Sequence, residues 1–253
     1  MSEIKNIWTE TIPVRFGNID RSDRLTLWSI FDFFQEAAIS HAQHLGVGRE
    51  AMLKNGHAWI LSRISILVER RPLYGEVVEV STWPRKWEKL FALRDYSIKD
   101  SSGNTAVRGR GGWLVVDTEK MRPLRPQIVM ENMPGNEGID AIPENPASIN
   151  SADGLKKIGE RTAKYSDIDF FGHTNNARYI QWIQDAADIG MLTEASQYRL
   201  DINYLSEVKP EETVELWSAP LESSGYAYEG RRQGIDSNEM QPVFRAELNF
   251  QNL

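Results

Sequence analysis

The 253-residue chain predicts an α+β fold built twice in tandem, each copy an antiparallel sheet curled around one long helix. Three observations carry this. A strand, a long apolar helix and four further strands occur in that order twice. The two series are separated by a stretch, Met121 to Gly154, that holds five of the 11 prolines. They also share residues at matching elements. A gapless shift of 149 places Ile19-Asp20 on Ile168-Asp169, and Gln35-Glu36-Ala37-Ala38 on Gln184-Asp185-Ala186-Ala187. A second shift, of 138, places Glu69 and Pro72 on Glu207 and Pro210.

In the first series, residues 7–17 alternate apolar and polar as a half-buried strand does. Thr26 opens a helix running to Leu45. Leu27, Ile30, Phe31, Phe34, Ala38, Ala42 and Leu45 form its stripe, widened by Trp28 and Phe33. Ala58–Val68, Glu76–Trp87, Leu90–Lys99 and Thr105–Asp117 read as strands, the last two joined by a turn at residues 100–103. In the second series, Lys156–Asp167 reads as a strand and Asn175–Ile189 as a helix. Strands follow at Tyr198–Glu207, Thr213–Pro220, Ser224–Gln233 and Val243–Gln251. The expected organisation is a domain over residues 1–125, a proline-rich linker over 126–153 and a second domain over 154–253.

Composition narrows the function. Apolar residues at 41% supply a core, and no apolar run approaches the ~18 residues that cross a membrane. The start, MSEIKNIWTE, lacks the apolar core of a secretory signal, so a cytoplasmic home is expected. With no cysteine there is no disulfide, thiolate metal site or cysteine nucleophile. Residues 151–253 hold 10 basic and 17 acidic residues, which is the whole net charge of −7. Residues 51–125 instead hold 14 basic and 8 acidic, a local excess that suits an acidic or phosphate-bearing partner better than nucleic acid.

The densest chemistry lies in Tyr165–Ala187, YSDIDFFGHTNNARYIQWIQDAA. Gly172 permits a sharp turn between Asp169 and the helix. Asp169 and His173 stand four apart across that turn. The first amides of the helix, around Thr174, Asn175 and Asn176, lack intrahelical partners and, together with Gly172, form a site for an oxyanion or for positioning the substrate. This suits hydrolysis of an activated acyl group. By residue type alone Asp169 also fits a plain capping role, and Glu207 a solvent-facing strand residue. The first copy keeps the acid as Asp20 but has Asp23-Arg24 where Gly172-His173 stand, so the fold does not require Gly-His.

Other candidates are weaker. HAQH at His41 and His44 lacks the glutamate of a zinc-protease helix and reads as helix surface. No GxSxG elbow is present. Arg108-Gly-Arg-Gly-Gly112 reads as a closely approached strand.

The order of elements and the pattern D-x-D-x-x-x-H-x-N-N-x-x-Y-I-x-W, Asp167 to Trp182, resemble the acyl-acyl-carrier-protein (acyl-ACP) thioesterases. Arg15–Leu45, with Asp23-Arg24 and Gln35-Glu36-Ala37, resembles the first domain of that family. The resemblance implies two tandem hotdog domains and hydrolysis of fatty acyl-ACP to free fatty acid and ACP, ending fatty acid synthesis. It implies no metal and no cofactor. It places Asp169, His173 and Glu207 at catalytic positions, and the acyl chain in the first domain, with Trp28, Phe31 and Trp59 as lining candidates. The partner is an acyl carrier protein, docked through Arg85, Lys86, Arg108, Arg110, Lys120 and Arg122. No nucleic-acid or membrane partner is expected, and a monomer and a homodimer are both compatible. Phe171 replaces an asparagine common in the family, and Val208 replaces the cysteine of plant members, so Asn175 becomes a stand-in for the missing amide. The alternatives are an acyl-CoA thioesterase and a non-catalytic acyl- or ACP-binding module.

Overall fold

The computed structural model describes residues 4–131, 133–195, 197–234 and 239–251. The chain divides into two compact units, Met1–Pro146 and Ala147–Leu253. In the first, β1 (Trp8–Pro13) leads to α1 (Leu27–His44) and α2 (Arg49–Lys54). Then come β2 (His57–Val68), β3 (Val77–Glu88), β4 (Phe91–Lys99), β5 (Thr105–Asp117), β6 (Arg122–Leu124) and the short α3 (Gln127–Met130). In the second, β7 (Lys156–Thr162) leads to α4 (Asn176–Ala186) and α5 (Ile189–Glu194). β8 (Gln197–Tyr204), β9 (Thr213–Leu221), β10 (Gly225–Gln233) and β11 (Met240–Gln251) follow.

Both units have one topology. The first sheet runs β1-β3-β4-β5-β2, with β6 on the last residues of β5, and the second runs β7-β9-β10-β11-β8. All of these pairings are antiparallel. The duplication read from residue order is thus a duplication of strand order.

Each sheet covers its helix. Thr26 caps α1 by accepting the Ser29 amide at 3.2 Å. Leu27, Ile30, Phe31, Phe33, Phe34, Ala37 and Ala38 are buried along α1. Phe34 stacks on Tyr96 with ring centroids 4.7 Å apart. It also covers Gly109, where a Cβ would sit 2.9 Å from the ring. The glycine-rich stretch of β5 is therefore a strand approached closely by the helix. In the second unit Tyr179 packs edge-on to Tyr204 and Phe244, at 5.7 and 5.6 Å. Each such side chain contributes about 1.5–3 kcal/mol when fully buried.

The elements depart from the expected bounds for local reasons. β1 stops at Pro13 and β7 at Thr162, because Asn18 and Asp167 turn back to accept the Arg15 and Lys164 amides at 3.1 and 2.8 Å. These side-chain turns compete with strand pairing. The second helix ends at Ala186, where Asp188 caps a new one by accepting the Met191 amide at 2.9 Å. The proline-rich stretch is not free of the first unit. The Ala141 amide donates to Asp95 at 2.8 Å, and the Trp83 indole donates to the Ile139 carbonyl at 2.9 Å.

His41 corrects the surface reading, because it is fully buried. Arg94 is always protonated, so its Nη1 donates to His41 Nδ1 at 3.2 Å, and His41 Nε2 therefore donates to the Lys5 carbonyl at 2.9 Å. Burial pushes the imidazole pKa down to about 4, against the Lys5 bond. An unfolded histidine titrates near 6.5. Below that value the unfolded chain binds the extra proton, so His41 stabilises the fold above pH ~6.5 and that contribution is lost as pH falls toward 4. Urea denaturation at pH 7 and pH 5 should show the wild type losing about 2 kcal/mol more than a His41→Gln variant. Equal losses in the two proteins would refute this.

Candidate functional site

The segment before each helix folds into one small loop, built twice. In the first unit Ile19 bridges Leu25, the Asp20 amide donates to the Arg24 carbonyl at 3.0 Å, and Asp20 Oδ1 accepts the Ser22 amide at 2.8 Å. In the second, Ile168 bridges Thr174, the Asp169 amide donates to the His173 carbonyl at 2.9 Å, and Asp169 Oδ1 accepts the Phe171 amide at 2.8 Å. Both loops need one left-handed residue, supplied by Asp23 at φ 57° and Gly172 at φ 80°. Gly172 therefore serves the turn, and His173 is the residue private to the second copy.

The backbone also corrects the second sequence shift by two residues. The Leu25 amide donates to the Pro72 carbonyl, and its counterpart Thr174 donates to the Val208 carbonyl, both at 2.8 Å. The pair Gly75 to Val14 is matched by Glu211 to Ala163, at 3.0 and 2.9 Å. Arg71 is thereby the counterpart of Glu207. In the first unit the Arg71 guanidinium, buried at 2% side-chain exposure, closes on the Asp20 carboxylate. Burial pushes the Asp20 carboxyl up, but hydrogen bonds from Ser22 and Arg71 outweigh it and hold it below the usual range. In the second unit both cations are exchanged: Arg24 becomes His173 and Arg71 becomes Glu207. His173 Nε2 lies 3.2 Å from Glu207 Oε2, and the Glu207 side chain is 45% exposed. A closed ion pair is replaced by an open acid–imidazole pair beside a second carboxylate.

Arg232, which the sequence reading missed, holds this geometry. It is buried, and it donates to Glu212 at 2.8 Å and to Ser206 Oγ at 3.2 Å. It thus braces the segment that carries Glu207. The available signal was the first unit, where Arg70 grips Glu76, the counterpart of Glu212, at 2.8 Å.

The expected oxyanion donors need correction. The Thr174 amide is engaged by Val208, the Asn175 amide by the Asp167 carbonyl at 2.8 Å, and the Gly172 amide by the Asp169 carbonyl at 3.0 Å. Asn175 Oδ1 caps the helix by accepting the Ala177 amide at 2.8 Å, so it does not replace the missing asparagine. Of the four residues, Asn176 alone keeps an amide with no partner among the described residues. The Thr174 hydroxyl is buried beside the Tyr179 hydroxyl. Phe171 is half exposed, with its ring edge-on to Phe170.

Of the lining candidates, Phe31 is buried while Trp28 and Trp59 are partly so, and the Trp59 indole donates to the Val47 carbonyl at 3.0 Å. None of the three lines the recess of about 400 Å³ bounded by α2, the start of β2 and α3. The docking set divides. Arg110 is buried and gripped by Asp95 at 2.5 and 2.7 Å and by Asp140 at 2.6 Å, so it presents no charge to a partner. Arg85 is held by Asp140, Lys86 by Glu137 and Arg108 by Glu69. Lys120 and Arg122 are exposed. Among the described residues no helix is long and apolar enough to cross a membrane.

A helix wrapped by its own sheet, twice, with an acid–histidine–acid loop in the second copy, defines a tandem hotdog protein. The acyl-ACP thioesterase N-terminal domain model matches residues 5–131 and the C-terminal domain model matches residues 151–249. The chain belongs to the acyl-ACP thioesterase family. It is 24% identical over 217 residues to the chloroplast palmitoyl-acyl carrier protein thioesterase of Arabidopsis thaliana, covering 79% of this chain and 52% of that protein. It is 24% identical over 233 residues to the oleoyl-acyl carrier protein thioesterase 1 of the same plant, covering 82% and 62%. The chain thus spans little more than half the length of the curated relatives it matches. An acyl-ACP thioesterase of Bacteroides thetaiotaomicron shares the fold at TM-score 0.87 and 24% identity, covering 99% of this chain and 100% of that one. The 12:0-ACP thioesterase of Umbellularia californica does so at 0.79 and 20%, covering 99% of each.

The Asp169 clip makes a stability prediction that is separate from chemistry. Asp169→Ala removes the acceptor of the Phe171 amide, whereas Asp169→Asn keeps one. In urea denaturation the alanine variant should be less stable than the asparagine variant by about 1 kcal/mol. Equal stabilities would mean that the clip does not hold the loop.

Proposed function

We propose that the chain hydrolyses the thioester of a fatty acyl chain carried on acyl carrier protein, releasing free fatty acid and the carrier thiol. The observation that carries this reading is the His173–Glu207 pair, 3.2 Å apart, on the Asp169 loop. It stands where the first copy has a closed aspartate–arginine pair. Family membership supports the substrate, and the similarity to acyl carrier protein thioesterases supports the carrier.

In this reading Glu207 orients the imidazole. His173 takes a proton from a water held between it and the free oxygen of Asp169. The resulting hydroxide adds to the thioester carbonyl carbon, and the negative charge passes to the carbonyl oxygen, which the Asn176 amide faces. Collapse of the tetrahedral intermediate breaks the C–S bond, and the imidazolium returns its proton to the departing thiolate. The balance is one water consumed, one carboxylic acid and one thiol formed. Of the basic set, Lys120 and Arg122 are the residues left to meet an acidic carrier. We place the protein in the compartment where that carrier is made.

Phe171 favours a second reading, a non-catalytic acyl- or carrier-binding module, because its side chain offers no donor at a position where the family often has an amide. One assay separates the two. Thiol release from acyl-ACP, with matched acyl-CoA alongside, should be rapid with the wild type. It should fall about 10²–10⁴-fold in Asp169→Asn and in Glu207→Gln, with circular dichroism unchanged. Tight acyl binding without thiol release establishes the module instead, and near-normal turnover in either folded variant removes that carboxylate from the mechanism.

A further inference from the structure

The interior of the first unit contains a cation with no counter-ion among the described residues. Arg94 on β4 faces α1 and is 8% exposed. Its Nη1 reaches His41 Nδ1 at 3.2 Å and Thr82 Oγ1 at 3.3 Å, and its Nε and Nη2 have no hydrogen-bond partner among the described residues. Among the described residues no carboxylate pairs with it. His41 is neutral, with its pKa at about 4. Burial pushes the Tyr96 hydroxyl up to about 12, so it is neutral too. The adjacent Asp95 carboxylate takes both Arg110 bonds and the Ala141 amide. Arginine cannot discard its proton, and a buried guanidinium that lacks an anion is unfavourable.

The surroundings define which anion would fit. Phe34 stacks on Tyr96, and the Trp113 indole donates to the Tyr96 hydroxyl at 3.2 Å. An inorganic ion would gain nothing from these rings, whereas a hydrocarbon chain would. We propose that the interior of the first unit is a site for the carboxylate end of an aliphatic chain, with Arg94 as its cation and Thr82 and His41 fixing the guanidinium. Two sources supply that chemistry: a free fatty acid, and the far end of an acyl substrate that carries a second carboxylate. The free-acid source is independent of the proposed hydrolysis, and the substrate source rests on it.

Calorimetric titration of the full chain with decanoate and with decanol tests the first source. The wild type should bind the acid at least about tenfold more tightly than the alcohol. Arg94→Met should bind the two equally while melting at or above the wild-type temperature, since a buried unpaired charge has been removed. Asp169→Asn should keep the preference, which separates this site from the proposed catalysis. Thiol release from decanoyl-carrier and from its ω-carboxylated analogue tests the second. Arg94→Met should lose about tenfold on the carboxylated chain alone. Arg94→Lys, which keeps the charge, should retain part of either preference and stands in if Arg94→Met does not fold. A carboxylate preference in either arm that depends on position 94 supports the site. No preference in both arms, or a preference unchanged in the two variants, overturns it.

Discussion

One backbone hydrogen bond sets the geometry of each unit. The residue just before the helix cap, Leu25 or Thr174, gives its amide to a carbonyl in the segment that enters the third strand, Pro72 or Val208. That bond brings two distant pieces of chain together: the small loop clipped by an aspartate, and the residue preceding the accepting carbonyl. In the first unit the residue so delivered is Arg71, which seals the loop. In the second it is Glu207, which meets His173. The backbone constraint is identical, and two exchanged side chains decide whether the loop is sealed by an aspartate–arginine pair or carries an open acid–imidazole pair.

Much of this was legible in residue order. The apolar stripe of α1, the Thr26 helix start, the strand series and the paired Ile-Asp segments all rest on local physics, namely helical periodicity, unsatisfied amides and β-branched runs. The placement of Asp169 and His173 on one turn follows from spacing alone. The approach of His173 to Glu207 does not, because it depends on a contact between residues far apart in sequence.

The misreadings share a cause. The match of Pro72 with Pro210 is local identity, whereas the carbonyl contacts pair Pro72 with Val208. His41 and Arg110 look like surface residues by type. Each is buried because the fold supplies partners that no window of neighbouring residues contains: Lys5 and Arg94 for one, Asp95 and Asp140 for the other. The amides of Thr174 and Asn175 look unsatisfied in an isolated helix, but the distant Val208 carbonyl satisfies the first and the Asp167 carbonyl of the adjacent loop the second.

The strand order carries a consequence for how the chain reaches this state. β1 precedes α1 and β2 in the chain, yet among the described residues it pairs with β3, so Trp8 waits for Thr82. The α1 helix and all of β2 must be made before that edge can close. The second unit repeats the delay, with β7 pairing to β9 across α4, α5 and β8. Closing such loops has an entropic penalty that local contacts do not repay, so folding is limited by non-local pairing. Until β3 arrives, the apolar face of α1 has no sheet to cover it, and in each unit the nascent chain is most exposed to aggregation during that interval.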